Sequence, residues 1–586
     1  MSRRISVLAL FFAFIGSGCA DTGRGQTGDG GGGALLTIDP PTATLTVRNG
    51  APQTAQFTAL RDGKPATGAR WSIDLTSLGT VDDSGKLTAS GLLAGEGTIT
   101  ARLDSATATA KVTVRVEAET LGAGVPADAP TTLFSPSPTT GTADAPTIVY
   151  PLEGAVMPST VKAPDLQWEG GAAGDLYRVV ATGGLATVTS YLLHDGGSFK
   201  YDWKPDGTTW DVLKRSAGST PITWTVDRVT PGQTAVYRSA PRRASIVLAD
   251  VAGAIYYWDL SDGKILRITP AGREITIPNP PPRPADPGQG SRCVACHSVS
   301  RNGRWMATAL WGGGDYGTIF DLTADLTPDP APTVFGTDKY RTLFSTFNPD
   351  ASRLLVNVET RLFLLDAKTG AELPTLGTPL PATKAAHPTW SPDGSTIAYI
   401  ANHDGAWAVD FTQGDLAVLP VTGADTFGPT AILRPADGMA NTWPSFSPDS
   451  NWIAFGRGTN SRGRNTIEGV GVVQYPGSLW MISRTGGTPV ELVAANGGAG
   501  KMDSYLPNFS PFDQGGYFWL TFYSTRDYGN AQAGTKGKAR RQLWVTAVKN
   551  APVAGQDPSS VPFWLPDQSV DTENMSGYWA LEPTIQ

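Results

Sequence analysis

The sequence predicts an all-β protein of several domains, built from short strands separated by many turns. With 586 residues the chain is too long for one hydrophobic core, so two or three domains are expected. It contains 68 glycines and 46 prolines, which favour turns. No stretch of its body keeps a helical spacing of apolar residues, whereas short apolar runs recur between turn residues, as is typical of strands.

Charge and histidine content exclude several classes of protein. The formal net charge is −7, so nucleic acid is not an expected partner. The chain has only four histidines, too few for a multi-copper or multi-haem centre that is built largely on imidazole ligands.

The N-terminal residues have the pattern of an export signal. Arg3 and Arg4 precede an apolar run over residues 5–15, and small residues then lead to Cys19. The run is too short to cross a bilayer as a stable helix, so we expect it to be cleaved rather than retained.

This arrangement resembles a bacterial lipoprotein signal, which implies that residues 1–18 are removed and that Cys19 is lipidated. Residues 19–34, rich in glycine, would then form a flexible tether to the membrane. We therefore expect an exported protein held by lipid in the cell envelope, on the periplasmic side or at the outer-membrane surface. Because Gly16 stands where such signals usually carry leucine, secretion without a lipid is the alternative.

Two β-sandwiches are predicted ahead of the largest domain. Residues 35–116 alternate apolar and polar positions between turns. Trp71, residues 79–88 and residues 94–101 resemble a bacterial Ig-like domain of group 2, which implies a spacer or adhesive module.

The second sandwich follows a linker. Residues 117–145 are rich in Pro, Thr and Ala and are predicted to be that linker. In residues 146–250, aromatic residues such as Trp168, Tyr177 and Trp224 mark short strands. Their arrangement is similar to an Ig-like or fibronectin type III sandwich.

Internal repetition begins in the last segment, residues 251–586. Four units place an aromatic and a polar residue before a proline turn, and an apolar strand follows each turn. The polar residues are Asn348, Ser391, Ser447 and Ser510, separated by 43, 56 and 63 residues. This spacing suits four-stranded blades with variable loops, and the units resemble the blades of a TolB-like β-propeller.

Two further observations complete the predicted propeller. Residues 296–307 align with residues 387–398, so another blade starts upstream. Residues 255–259 resemble outer strands, while residues 578–581 would supply the missing inner strand from the C-terminus. The result is about six blades, closed by joining the two ends of the domain.

The motif that carries chemistry is Cys293-Val294-Ala295-Cys296-His297. It resembles the attachment motif of c-type cytochromes, which implies one covalent haem c, with thioether bonds to Cys293 and Cys296 and His297 as an axial iron ligand. A redox dithiol, a local disulfide and half of a zinc site are the alternatives. A zinc site would need two more ligands, and a thioredoxin-like dithiol would need a βαβ unit.

No motif in the sequence specifies the second axial ligand, so it has to be chosen among several methionines and histidines. Met306 would lie across a hairpin from His297 and point the same way, whereas axial ligands approach iron from opposite faces, so Met306 is assigned to core packing. Met575 is preferred because it opens the closing blade, next to the haem blade; its alternative is a packed loop residue. Other candidates lie before inner strands at the same end: His387, Met439 and Met502.

The aspartates of the turns and three arginines can be explained by ordinary structural roles. The turn aspartates are expected to hydrogen-bond their own backbone; they are Asp350, Asp393 and Asp449. Three arginines are either haem-propionate contacts or ordinary surface residues; they are Arg301, Arg304 and Arg341.

These observations favour single-electron transfer with a redox partner protein, the propeller acting as haem shield and docking face. A haem enzyme with a vacant sixth position is the second hypothesis, for which only His387 and His403 offer an acid–base group. The third is a non-redox adhesion or scaffold lipoprotein that binds an envelope protein or polysaccharide.

Overall fold

A computed structural model describes residues 35–251, 253–269, 271–283, 292–311, 314, 316–467 and 471–582. The predicted signal, Cys19 and the tether lie outside these residues. Regular structure in the described part is almost all β-strand, which confirms the all-β class. Three helices occur there: Ala129–Thr132, Gly207–Ala217 and Val493–Asn496. None of the helices in the described ranges has the length and apolar character that crossing a membrane requires.

The first domain is a set of small sheets around an alternating core. Buried and exposed side chains alternate along its two longest strands, and Phe57, Leu87 and Ile99 are fully buried. Its strands are Leu36–Asp39, Thr42–Arg48, Thr54–Gln56, Thr58–Arg61, Lys64–Pro65, Arg70–Ile73, Gly79–Val81, Lys86–Ala89, Gly95–Leu103 and Ala106–Leu121.

The predicted linker is partly ordered. The strand Ala106–Leu121 runs into it, and Val116 to Leu121 pair in parallel with Ala186 to Tyr191 of the second domain. The first two domains therefore share one continuous sheet. The physical reason is non-local: a neighbouring strand offers an unpaired edge, which the alternating residues after Val116 can complete.

The second domain packs its strands around tryptophans and includes one helix that its strand-like sequence pattern does not predict. Asp206 caps Gly207–Ala217 by accepting a hydrogen bond from the Thr209 N–H, and Trp210, Leu213 and Ala217 form its buried face. The strands of this domain are Thr139–Thr140, Thr147–Tyr150, Ala155–Pro158, Leu166–Glu169, Leu176–Gly183, Ala186–Leu193, Asp202–Trp203, Ile222–Val229, Tyr237–Arg238 and Arg242–Val247.

The second domain is fixed to the last propeller blade by buried hydrogen bonds. The Asn530 side chain donates to the backbone carbonyls of Trp168, Lys200 and Tyr201 at 2.9–3.2 Å. The Asn530 N–H donates to Gln167 Oε1 at 2.9 Å. These bonds satisfy backbone groups that the contact removes from water.

A carboxyl group at this contact makes stability depend on pH. Burial, with the nearby charge of Asp202, raises the pKa of Asp165 to about 7. The folded protein thus holds a proton that the unfolded chain releases above about pH 4, so the free energy of unfolding falls as pH rises from about 4 to 7. Asp165→Asn should therefore raise it by about 2 kcal/mol at pH 8 and change it little at pH 4.

Urea unfolding of both proteins at the two pH values tests this expectation. Asp250→Asn, at an exposed residue of the same domain, is the control for a general charge effect. An Asp165→Asn effect of equal size at pH 4 and pH 8 would contradict the pKa assigned to Asp165.

The propeller has six blades, as the repeats predict. Blades 2 and 3 contain three strands each in the described residues, and the others contain four or more. From the innermost strand outward, blade 1 contains Asn574–Ala580, Ala254–Asp259, Lys264–Thr269 and Gly272–Ile275; blade 2 contains Val294–Val299, Trp305–Leu310 and Tyr316–Asp321; and blade 3 contains Phe344–Phe347, Arg353–Val358 and Arg361–Asp366. Blade 4 contains Ala386–Trp390, Thr396–Ala401, Asp415–Gly423 and Ala431–Arg434, with the additional short strands Thr426–Phe427 and Leu376–Gly377. Blade 5 contains Ala440–Phe446, Trp452–Gly458, Gly477–Ser483 and Val490–Glu491, with the inserted hairpin Arg464–Ile467 and Gly471–Gln474, and blade 6 contains Ser504–Gln514, Tyr517–Ser524, Gln542–Lys549 and Phe563–Trp564.

The ring closes through the C-terminal strand. Asn574–Ala580 pairs antiparallel with Ala254–Asp259 and contacts the inner strands of both blade 6 and blade 2. Each remaining inner strand contacts the next one around the ring. Blade 1 is therefore built from both ends of the domain and is the neighbour of the blade that carries Cys296 and His297.

Candidate functional site

The inner strands of five blades share a β-bulge at the same place. Each bulge leaves two residues unpaired, and the first of the two has a positive φ between 40° and 55°. The bulged pairs are Cys296-His297, His387-Pro388, Trp443-Pro444, Leu506-Pro507 and Ser576-Gly577. A bulge redirects side chains at the rim of a sheet, and here it turns the pair toward the propeller axis.

A proline as the second residue explains the bulge in three of the five blades. In blades 4, 5 and 6 it is a proline, which has no N–H to give to the ladder. His297 takes this place in blade 2, and Gly577 takes it in blade 1. Cys296 and His297 of the motif therefore stand at the bulge that recurs in the inner strands. At the same bulge, blades 4, 5 and 6 have a residue followed by proline.

The five bulged pairs line a single cavity of about 290 Å³. Blade 3, which has no such pair, contributes Leu343 and Phe344. Most of the lining is apolar or aromatic, and it includes Trp258, Trp407 and Tyr578. A concave, mostly apolar pocket with a few convergent polar groups is the usual form of a cofactor site.

His297 is buried in this lining and is only 8% exposed. Neither ring nitrogen makes a hydrogen bond of ordinary length and angle, although the Tyr256 backbone is close enough to act on the ring. Burial lowers the pKa of His297 to about 4, with the Tyr256 backbone offsetting part of the effect. The imidazole is therefore neutral at physiological pH and keeps a lone pair that could bind a metal ion.

The two cysteines have different environments. Cys296 lines the cavity, and burial raises the pKa of its thiol to about 12. Cys293 is half-buried beside the cavity, where its Sγ faces Gly263 in the first turn of blade 1. The Val294 N–H donates to the Gly263 carbonyl at 3.2 Å, which holds this segment against blade 1. Both thiols are free.

Met575 lies on the same cavity as His297, and two other candidates do not. Met439 and Met502 are absent from the described lining. Met306 is fully buried inside blade 2, opposite Val299, and belongs to the core of that blade.

His387 reaches the cavity, but one nitrogen of its ring already accepts a hydrogen bond. Its Nδ1 accepts a hydrogen bond from the Trp443 N–H at 3.3 Å, and its ring stacks on Trp443 with centroids 3.6 Å apart. The proton of the neutral ring then sits on Nε2, which leaves that nitrogen without a free lone pair. His403 is buried away from the lining, stacked on Phe411. Of the candidates for a second ligand, Met575 and His387 are the two that lie on the cavity lining.

The arginines singled out in the sequence lie away from the cavity. Arg304 donates to Asp321 at 2.9 Å, Arg341 pairs with Glu359 at 3.2 Å, and Arg301 faces a separate pocket among the proline turns. The arginines on the cavity are Arg462 and Arg464 instead. They lie in a long insertion between two strands of blade 5, and the only signal for them is the basic pair itself.

The turn aspartates behave as the turn interpretation predicts. The side chain of each accepts a hydrogen bond from the backbone N–H two residues later, at 2.8–3.0 Å. They are Asp350, Asp393 and Asp449. Among the residues that the structure describes, no three or more His, Cys, Asp or Glu side chains cluster as a metal site.

Comparison with known proteins finds likeness only at the level of structure. No family model matches the chain. No curated protein matches it either. A solved protein described as TolB, from Agrobacterium tumefaciens, is 16% identical, covers 57% of this chain and 99% of its own, and has a TM-score of 0.28.

Two other solved structures are similar in the same way. Hydrazine synthase of Kuenenia stuttgartiensis is 12% identical over 45% of this chain and 70% of its own, with a TM-score of 0.28. A quinonprotein alcohol dehydrogenase-like protein from Bacteroides thetaiotaomicron is 9% identical over 75% of this chain and 100% of its own, with a TM-score of 0.29. Because these scores are low, the propeller assignment stands on the strand pairing of this chain.

Proposed function

We propose that this chain is a mono-haem c-type cytochrome that transfers single electrons in the cell envelope. One observation carries the proposal: the Cys296-His297 bulge and Met575 line the same cavity, and His297 is buried there. A neutral imidazole on the cavity wall is suited to a ligand that the polypeptide does not supply, whereas His403, whose ring nitrogens are equally unpartnered, lies away from that wall.

The residues present fit a haem. The thiols of Cys293 and Cys296 would each add across one vinyl group, the sulfur bonding one vinyl carbon and the thiol hydrogen going to the other. His297 and Met575 would be the side chains that supply iron ligands. The cavity volume lies at the lower limit of ordinary ligand pockets, so part of a macrocycle would remain outside it.

The bound haem would supply a one-electron redox couple, and the chain would set its surroundings. The lining around the buried His297 side chain is largely aromatic and includes Phe344 and Trp443. The low pKa of His297 keeps its ring unprotonated and available as a ligand across the physiological range. A His/Met pair favours a higher reduction potential than other ligand sets.

The proposal includes the setting of the propeller. Lipidation of Cys19 would attach the chain to a membrane, and the first two domains, interpreted as Ig-like and fibronectin type III-like, would hold a TolB-like propeller away from that surface. The shared sheet and the Asn530 contacts support such a spacer, because they join the domains without a long flexible segment.

The test is to mature the full chain in a host with haem-attachment machinery. We expect intact mass to increase by one haem and the absorption spectrum to show a low-spin haem that binds carbon monoxide poorly. Colourless protein of unmodified mass would refute the proposal. Covalent haem that binds carbon monoxide readily would instead support a haem enzyme.

A further inference from the structure

Two arginines are the only ionised side chains on the described lining of the cavity. They are Arg462 and Arg464, at the start of the hairpin that blade 5 inserts. Their side chains are only 17% and 13% exposed. Fixed positive charge in a largely apolar cavity is costly unless an anion accompanies it.

Each arginine has one acidic partner and spare hydrogen-bonding capacity. Arg462 Nη2 lies 2.7 Å from Asp410, and Arg464 Nη2 lies 3.3 Å from Glu573. The Nε atoms of both are buried and have no hydrogen-bond partner. Other arginines of the propeller share that feature, but only these two line the cavity.

The surrounding charges leave an excess of positive charge. Arg541 is almost fully buried and donates to the Arg464 carbonyl at 2.7 Å, while its Nη1 lies 3.6 Å from Glu573. Three arginines therefore share two carboxylates. An additional anion in the cavity would therefore meet an attractive field at these two side chains.

We propose that Arg462 and Arg464 bind the carboxylates of a flat, apolar dianion whose body fills the aromatic part of the cavity. The inference deepens the proposed function: in a c-type cytochrome the dianion is haem, and its two propionates are the carboxylates. The arginines would fix the orientation of the ring and offset the charge of its propionates.

The experiment separates this inference from covalent attachment. The full chain carrying Cys293→Ser and Cys296→Ser is titrated with zinc protoporphyrin IX and, separately, with its dimethyl ester, following porphyrin fluorescence. We expect the diacid to bind about tenfold or more tightly than the ester. Adding Arg462→Met and Arg464→Met should reduce diacid binding to the level of the ester.

Two further variants make the result specific. Arg304→Met with Arg361→Met removes the same charge from blades 2 and 3, outside the cavity, and should leave the preference intact. Arg462→Lys with Arg464→Lys keeps the charge and should retain most of the preference, which guards against a folding defect. Equal binding of diacid and ester, or a preference unaffected by the methionine variants, would overturn the inference.

The two proposals fail in different ways. A wild-type chain that acquires covalent haem but shows no preference for the diacid retains the cytochrome function and loses the role of the arginines. A chain that never acquires covalent haem but prefers the diacid loses the cytochrome function and keeps a site for carboxylated ring compounds.

Discussion

Replacing both Cys293 and Cys296 by serine is expected to remove all covalently bound haem from the exported protein. Serine cannot form the thioether, and the described residues contain no other cysteine. Denaturing gels stained for haem and intact mass spectrometry measure the result. The fold should persist, because the repeated bulge in the other blades forms without cysteine.

Single variants and a neighbouring serine provide the controls. Cys293→Ser and Cys296→Ser should each keep one thioether and some covalent haem. Ser298→Ala alters a buried residue of the same strand, one position after His297, and should leave attachment unchanged. Covalent haem in the double variant would show that these sulfurs are not the attachment points.

Met575→Ala is expected to open the sixth position of the iron. Without the sulfur ligand the spectrum should shift to high spin and the reduction potential should fall, because methionine ligation raises it. Carbon monoxide affinity should rise by about tenfold or more, since the binding-competent form is no longer a minor population. Absorption spectroscopy under carbon monoxide and a redox titration measure both effects.

Met306→Leu is the matched control for that prediction. Met306 is fully buried in blade 2, and leucine has a similar volume, so the spectrum and the affinity should stay as in the wild type. Unchanged carbon monoxide binding in Met575→Ala would exclude Met575 as a ligand.

Most of the propeller could be predicted from its repeats because the signal is local. A serine or asparagine, a proline turn and an aspartate specify a tight turn within a few residues, as at Ser391 and Asp393. Apolar strands on both sides then complete two strands of a blade. The alignment of residues 296–307 with residues 387–398 extended the pattern to a blade without the proline turn.

The N-terminal half was less predictable because its order depends on distant partners. The strand Ala106–Leu121 continues into the Pro-rich and Thr-rich segment only because an edge of the second domain lies beside it. The helix Gly207–Ala217 has a capping aspartate and an apolar face, but it is a single short element among aromatic strands.

The residues of the candidate site that belong to one short motif could be predicted from the sequence. Those that only the tertiary structure brings to the cavity could not. The spacing of the motif predicts Cys296 and His297 as site residues, and the meeting of the domain's two ends predicts Met575; the structure places all three on one cavity. Arg462 and Arg464 were not predicted, because an insertion of blade 5 brings them to the cavity and no local sequence pattern indicates that placement. The position of Cys293 beside the cavity rather than on it likewise depends on blade 1.

Closure of the ring by Asn574–Ala580 gives the two proposed iron ligands an additional consequence. A haem held by His297 and Met575 would cross-link the last strand of the chain to blade 2, while that strand's hydrogen bonds join it to blade 1. Haem binding would then stabilise the closed propeller, and the closed propeller would in turn hold the two iron ligands in place. Removing the strand Asn574–Ala580 would delete both a proposed iron ligand and the innermost strand of blade 1.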